Sequence, residues 1–234
     1  MKLLAFELST EACSVALHAD GQVLERFEIA PRRHAELALP WAEQLMAEAG
    51  IARSQLDAIA LGRGPGAFTG VRLAIALAQG IALALDRPLL PVSTLQALAM
   101  RAPDDATQIL AAIDARMGEV YVARYQRVDG VPRLQDAERV CPPQAMEVAA
   151  GVRCHGVGTG FAAADAALVV QLGDALLGVD ATALPRASDV LALALPGLAR
   201  GEGIAPERVE PAYLRDNVAL TLVEQQALRA SKAK

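Results

Sequence analysis

The sequence predicts an α/β protein of two related lobes, each a mixed sheet flanked by helices, with the second lobe reduced in size. Three observations lead there. Strand-like and helix-like patterns alternate along the chain, which is how α/β domains are built. The opening strand–hairpin–strand unit recurs in the second half: Glu7 closes the first strand and Asp114 its later counterpart, 107 residues on, and the Asp20-Gly21 and Asp129-Gly130 turns lie 109 apart. Finally, 234 residues at 53% hydrophobic content supply a substantial core, and with only 3% aromatic residues Ala, Leu, Val and Ile must fill it.

Taken in order, residues 3–8 (LLAFEL) are an apolar run broken by one acid, a buried strand. Val15 and Leu17 alternate with polar neighbours, Asp20-Gly21 turns, and residues 23–29 return as a strand that Pro31 ends. From His34 to Ala49 apolar residues recur at helical spacing, with Gly50 as the stop. Residues 59–61 form a short strand, the loop GRGPGAFTG spans 62–70, and a helix follows over 69–85 with Thr69 as its expected cap. Residues 88–92 form a strand, and Ser93 or Thr94 caps a helix running to about Met100. The turn-rich segment 102–105 marks the boundary, giving an N-terminal lobe over 1–103 and a C-terminal lobe over 104–234. In the second lobe, strands are expected at 109–113, 120–125, 131–140 and 152–157, the last leading into Gly158-Thr159-Gly160. Residues 161–167 and 190–199 read as helices. Beyond Pro211 a docked strand or turn is expected, then a mobile basic tail.

Composition narrows the function. The formal net charge is −5 and the pI about 5.3. An RNA-gripping protein ordinarily carries a basic patch, and the nearest thing here is the pair Arg32-Arg33. Action on RNA is therefore expected through a partner. Three cysteines, Cys13, Cys141 and Cys154, without CxxC spacing, argue against a disulfide framework and a zinc site and fit a reducing compartment. The N-terminus opens on a strand pattern rather than a signal peptide, and the apolar stretch 73–85 is interrupted and short for a bilayer, so a cytoplasmic protein is expected. His18, His34 and His155 are widely separated, with no HExxH, so no metal site is expected. A Cys13/His nucleophile pair stays open on sequence, although a lone strand cysteine ordinarily packs as core.

Carboxylates that close paired strands in a duplicated α/β fold are the plan of the actin, hexokinase and Hsp70-type ATPases, a ribonuclease H-like architecture whose two lobes clamp a nucleotide and magnesium. Glu7 and Asp114 occupy the two acid positions, and Gly158 and Gly160 resemble an adenosine-side glycine turn. An active member usually has Asp followed by a glycine turn; Glu7-Leu8-Ser9-Thr10 adds a methylene and denies close backbone approach. These four residues are thus read as a relic nucleotide site, and no residue is assigned a catalytic role. The 62–70 loop lacks the GK[ST] ending of a P-loop.

The helix 69–85 is apolar all round, with small-residue rows at Ala74, Ala78, Ala82 and at Ala76, Gly80, Ala84. One face can pack on the sheet; the other needs a second helix. The surface expected to meet a partner combines Arg72, Leu73, Ala76, Leu77 and Gly80 with His34, Leu37, Trp41 and Leu45 of the preceding helix.

The strings STEACSVAL (9–17), GRGPGAFTGVR (62–72), VSTL (92–95), AAIDARMGEVY (111–121) and EPAYLRDNV (210–218) resemble the TsaB family along essentially the whole chain. The resemblance implies a role in forming threonylcarbamoyladenosine at the adenosine 3′ of the anticodon, in tRNAs reading codons that begin with A. It also implies a non-catalytic subunit that binds and activates the transferase TsaD through its N-lobe helices, with the ATPase TsaE joining them. ATP and magnesium are then used by the complex rather than by this subunit, which needs no cofactor of its own, and tRNA is met only through the complex. Self-association as a homodimer is expected when the chain is alone. An autonomous actin-type ATPase or kinase is the alternative.

Overall fold

The computed structural model describes residues 1–215. Its first sheet is built from β1 (Lys2–Glu7), β2 (Ala12–Ala19), β3 (Gln22–Ile29), β4 (Ala58–Gly62) and β5 (Leu89–Val92), in spatial order β3-β2-β1-β4-β5. β1–β3 form an antiparallel meander, whereas β4 runs parallel to β1 and β5 parallel to β4. The second sheet repeats this plan with β6 (Gln108–Arg116), β7 (Glu119–Val128), β8 (Val131–Leu134), β10 (Cys154–Val157) and β11 (Leu176–Asp180), in order β11-β10-β6-β7-β8; β9 (Arg139–Cys141) pairs with β7. Read from the meander edge inward, the two orders and strand directions coincide, which establishes the duplication structurally. Both hairpins turn with positive φ at both central residues, 51° and 86° at Asp20-Gly21 and 50° and 77° at Asp129-Gly130, the tight-turn geometry that Asp-Gly supplies at low steric cost.

Among the described residues, five helices cover these sheets: α1 (His34–Glu48), α2 (Phe68–Leu85), α3 (Thr94–Ala99), α4 (Ala163–Leu172) and α5 (Ala187–Ala199). On one face of the first sheet, Leu4, Phe6, Val15, Leu17, Ile59 and Leu61 meet Ala38, Ala42 and Leu45 of α1 and Ala74, Ala78 and Ala82 of α2. Alanines at i, i+4 spacing let α2 lie close to the sheet. The opposite face of the same strands, Leu3, Ala5, Ala16, Ala58 and Ala60, packs against Ala187, Val190, Leu191 and Ala194 of α5. β1 is therefore buried on both sides and reads as a continuous apolar run. α3 packs on one face of the second sheet through Leu95, Leu98 and Ala99, and α4 on the other through Leu168 and Leu172.

Several expectations are corrected. α5 lies on the first sheet, so residues 187–199 pack in the N-terminal lobe rather than in the second one. Its N-terminus is secured from a distance: Ser14 Oγ accepts from Ala187 N (2.9 Å), and Glu25 Oε1 accepts from Ser188 N (3.0 Å) while its other oxygen pairs with Arg186 (3.2 Å). α5 begins at residue 187, three residues before the apolar pattern does. Residues 161–167 do not form a regular right-handed helix: Ala164, Asp165 and Ala166 have φ of 49°, 56° and 58°, and α4 extends to Leu172. The expected single strand 131–140 is two short strands, β8 and β9, and β11 was not anticipated. Thr69 does not cap α2, whose N-cap is Ala67 without a side-chain bond; Ser93 does cap α3, accepting from Gln96 N at 3.2 Å. At 18 residues, α2 is as long and apolar as a membrane span requires, contrary to the sequence reading, but its alanine face is docked on the first sheet. After Pro211 the chain makes a docked turn, with Ala212 N donating to Arg63 O (2.9 Å) and Tyr213 N to Pro211 O (3.0 Å). The expected basic tail lies outside the described residues.

Candidate functional site

A cleft of about 1260 Å³ opens where the two lobes face each other. One wall is the end of β1, the turn before α1 and the first turn of α2; the other is the end of β6 and the Thr159 turn. Residues 211–215 run between the two, Tyr213 against Arg72 and Arg215 against Ala115 O and Glu119. The 62–70 loop folds tightly against this rim because its glycines allow contact no side chain would. A Cβ on Gly70 would stand 2.0 Å from Leu8 O, and one on Gly66 2.3 Å from Ser9 O.

The two strand-closing acids do not converge on the cleft. Asp114 lines it, paired with Arg116 (2.8 Å), and its backbone N–H donates to Thr159 Oγ1 (3.2 Å). Glu7 is only 1% exposed and points into the first lobe. Its carboxylate accepts from Ser9 N (2.8 Å) and from Thr94 Oγ1 (3.2 Å), and occupies the space where a Cβ on Gly62 would lie, 1.8 Å from Oε2. Burial raises the Glu7 pKa above the ordinary glutamate value, and the nearby Asp189 adds to this; the Ser9 and Thr94 bonds oppose it. Gly158 and Gly160 are brought beside Asp114 but packed against β6: a Cβ at Gly158 would be 2.3 Å from Ala112 O, and at Gly160 2.7 Å from Ala112 Cβ. Their smallness therefore serves the close approach of the turn to the sheet.

Other chemistry is sparse. Cys13 is buried and its thiol is pushed up to about 12 by burial and the neighbouring Glu28, so it is a poor nucleophile. His34 Nε2 lies 3.0 and 3.1 Å from the carbonyls of Thr10 and Ala12, tying α1 to the β1–β2 loop. Among the described residues no group of three or more His, Cys, Asp or Glu side chains is arranged to hold a metal ion.

The second feature is the outer surface of α2. Arg72, Ala76, Gly80 and Ala84 are exposed, with Leu83 65% exposed, while Leu73 and Leu77 are half-buried beside them. On α1, Leu37 and Trp41 are half-buried on one flank, and Leu39 is exposed on the other. Leu45 is different: it is 0% exposed and belongs to the core beneath α1, so it presents nothing outward. Sequence reading missed the residues that shape the cleft mouth, Phe68, Tyr213, Arg116 and Arg215. Of the cleft arginines, the sequence points to Arg32 as half of a basic pair and to Arg72 as part of the expected partner surface; the others are spread along the chain and become neighbours through folding.

Comparisons with known proteins agree with this architecture. A family model described as TsaD, tRNA N6-adenosine threonylcarbamoyltransferase, matches residues 27–222. The chain is 42% identical over 94% of its length to the tRNA threonylcarbamoyladenosine biosynthesis protein TsaB of Escherichia coli strain K12, covering 96% of that protein. It is 38% identical over 93% of its length to the TsaB of Haemophilus influenzae, covering 95% of it. The solved structure of YeaZ from Pseudomonas aeruginosa superposes with a TM-score of 0.84 at 48% identity, over 91% of this chain and 99% of that one. With a two-lobed duplicated fold and similarity spanning nearly its whole length, the chain belongs to the TsaB family of tRNA threonylcarbamoyladenosine biosynthesis proteins.

Proposed function

We propose that this chain is a non-catalytic subunit of the system that makes threonylcarbamoyladenosine in tRNA, and that it binds and activates a TsaD-type transferase through the outer faces of α1 and α2. The observation that carries the reading is the exposed row Ala76–Gly80–Ala84, with the exposed Leu83 beside it. Among the described residues nothing roofs it, and small side chains there admit another helix at short distance. A partner of the same fold family would offer an equivalent helix pair, allowing a pseudo-symmetric contact. The same surface serves a second copy of this chain when the transferase is absent. ATP and magnesium then belong to the other subunits, TsaD and TsaE. The burial of Glu7 supports this, because an acid enclosed in the first lobe is unavailable to a nucleotide in the cleft.

Sedimentation of this chain mixed with TsaD tests the proposal. A heterodimer is expected, and Ala76→Glu should abolish it while leaving the circular dichroism unchanged. Two species sedimenting independently at micromolar concentration would end the reading. The competing view, an autonomous ATPase, draws on Asp114 and Thr159 at the cleft. Titration calorimetry with Mg-ATP decides it: binding heat lost in Asp114→Asn would favour that view, and its absence the accessory role.

A further inference from the structure

Although the chain is acidic overall, the walls of the cleft carry four arginines, Arg32, Arg72, Arg116 and Arg215, against two carboxylates, Glu11 and Asp114. Arg116 is paired with Asp114 and Arg215 with Glu119, which leaves two cations uncommitted. Arg32, in the turn before α1, has no polar side-chain partner among the described residues. Arg72 is held in a stack: its guanidinium lies 3.5 Å over the Phe68 ring and 5.5 Å from that of Tyr213, and its Nε donates to the Tyr213 hydroxyl at 2.7 Å. The two rings are 6.4 Å apart and inclined by 29°. This fixes the guanidinium plane while leaving both Nη groups without a carboxylate among the described residues, a fork matched to phosphate. Phe68 and Tyr213 are 56% and 55% exposed, so an aromatic face is available beside the fork.

Exposed rings next to uncommitted arginines are the elements with which proteins hold single-stranded nucleic acid: stacking for the base, cations for the backbone. We propose that this cleft mouth receives an unpaired RNA nucleotide, its base stacked on the Phe68–Tyr213 pair and its phosphate held by Arg72 and Arg32. The inference rests on the proposed role in tRNA modification and deepens it, giving this subunit its own contact with the RNA. A duplex cannot use the site in the same way, because the faces of its bases are already stacked.

Fluorescence anisotropy of a labelled RNA stem-loop and of a blunt RNA duplex of equal length, each titrated with the full chain at low salt, tests it. The stem-loop should bind more tightly than the duplex. Tyr213→Ala should weaken stem-loop binding about fivefold to a hundredfold. Arg32→Ala should flatten the slope of log affinity against log salt by about 0.7. Arg53→Ala, which removes an exposed arginine paired with Glu43 outside the cleft, should change neither. Absence of stem-loop binding, equal affinity for the duplex, or an Arg53→Ala defect as large as that of Arg32→Ala would each overturn the proposal. Displacement by adenosine monophosphate as effective as by unlabelled stem-loop would assign the site to free nucleotides and overturn it too. Sedimentation of Arg32→Ala and Tyr213→Ala with TsaD separates the two ideas. Lost RNA binding with intact pairing supports this site independently, whereas failure of pairing in the unmodified chain counts against the partner reading alone.

Discussion

Asp189, in the first turn of α5, gives the clearest quantitative prediction. It is buried where the helix meets the first sheet; Oδ2 has no hydrogen-bond partner among the described residues, and Oδ1 lies 3.7 Å from Arg101. Burial, helped by the Glu25 charge, pushes its pKa up from 3.8 to about 6, against the opposing pull of Arg101 and Arg186. A pKa raised on folding means that the native state holds the proton more tightly than the unfolded chain. Its stabilising contribution is therefore complete below 3.8 and is lost as pH rises through about 6. A gap of about two units corresponds to at most ~3 kcal/mol, and ~1–3 kcal/mol is a fair range once relaxation is allowed. The N-terminal helix dipole favours the ionised form by only ~0.3–1 kcal/mol, too little to reverse the sign. Asp189→Asn fixes the neutral state. Urea unfolding followed by circular dichroism at pH 4 and pH 8 should show the variant close to the unmodified chain in acid and more stable at pH 8. With a urea slope of ~3 kcal/mol per molar, the pH 8 midpoint should rise by roughly 0.3–1 M. A variant less stable at pH 8, or a difference independent of pH, would refute the reasoning.

Gly62→Ala should destabilise the protein by roughly 1–3 kcal/mol, because the new methyl displaces the buried Glu7 carboxylate; the Gly62→Ala/Glu7→Ala double variant should melt higher than Gly62→Ala alone. Glu7→Gln should be tolerated and become progressively more stable than the unmodified chain as pH rises above 4.5, since the raised pKa makes ionisation of Glu7 a cost to the native state; equal melting curves across pH would contradict this. Leu45→Ala should cost about 2–5 kcal/mol in chemical unfolding, whereas Ala76→Glu should cost less than ~0.5 kcal/mol and act on sedimentation with TsaD instead; the reverse pattern would place Leu45 outside and Ala76 inside.

How far the site was legible depended on the range of the interactions concerned. The repeated strand–hairpin–strand unit could be read directly, because Asp-Gly turns and apolar alternation are local signals. The existence of two small-residue rows on α2, Ala74–Ala78–Ala82 and Ala76–Gly80–Ala84, followed from helical periodicity alone. Periodicity could not choose which row faces outward, and it misplaced Leu45, since α1 has apolar residues on two flanks and only contact with the sheet selects one. Glu7 was correctly placed at the end of a buried strand, but not its enclosure, which depends on Gly62 and Thr94, distant in sequence.

By itself, then, the sequence determined the class of fold, its duplication, its family and the small-faced helix, because each is written in spacing between near neighbours or in strings matched one by one. Tertiary structure alone decided that α5 returns to the first sheet, that one strand-closing acid is sealed while the other reaches the cleft, and that Arg32, Arg72, Arg116 and Arg215 share one mouth. These are contacts between residues far apart along the chain. Packing energy selects them only when the elements have met, so no local pattern announces them.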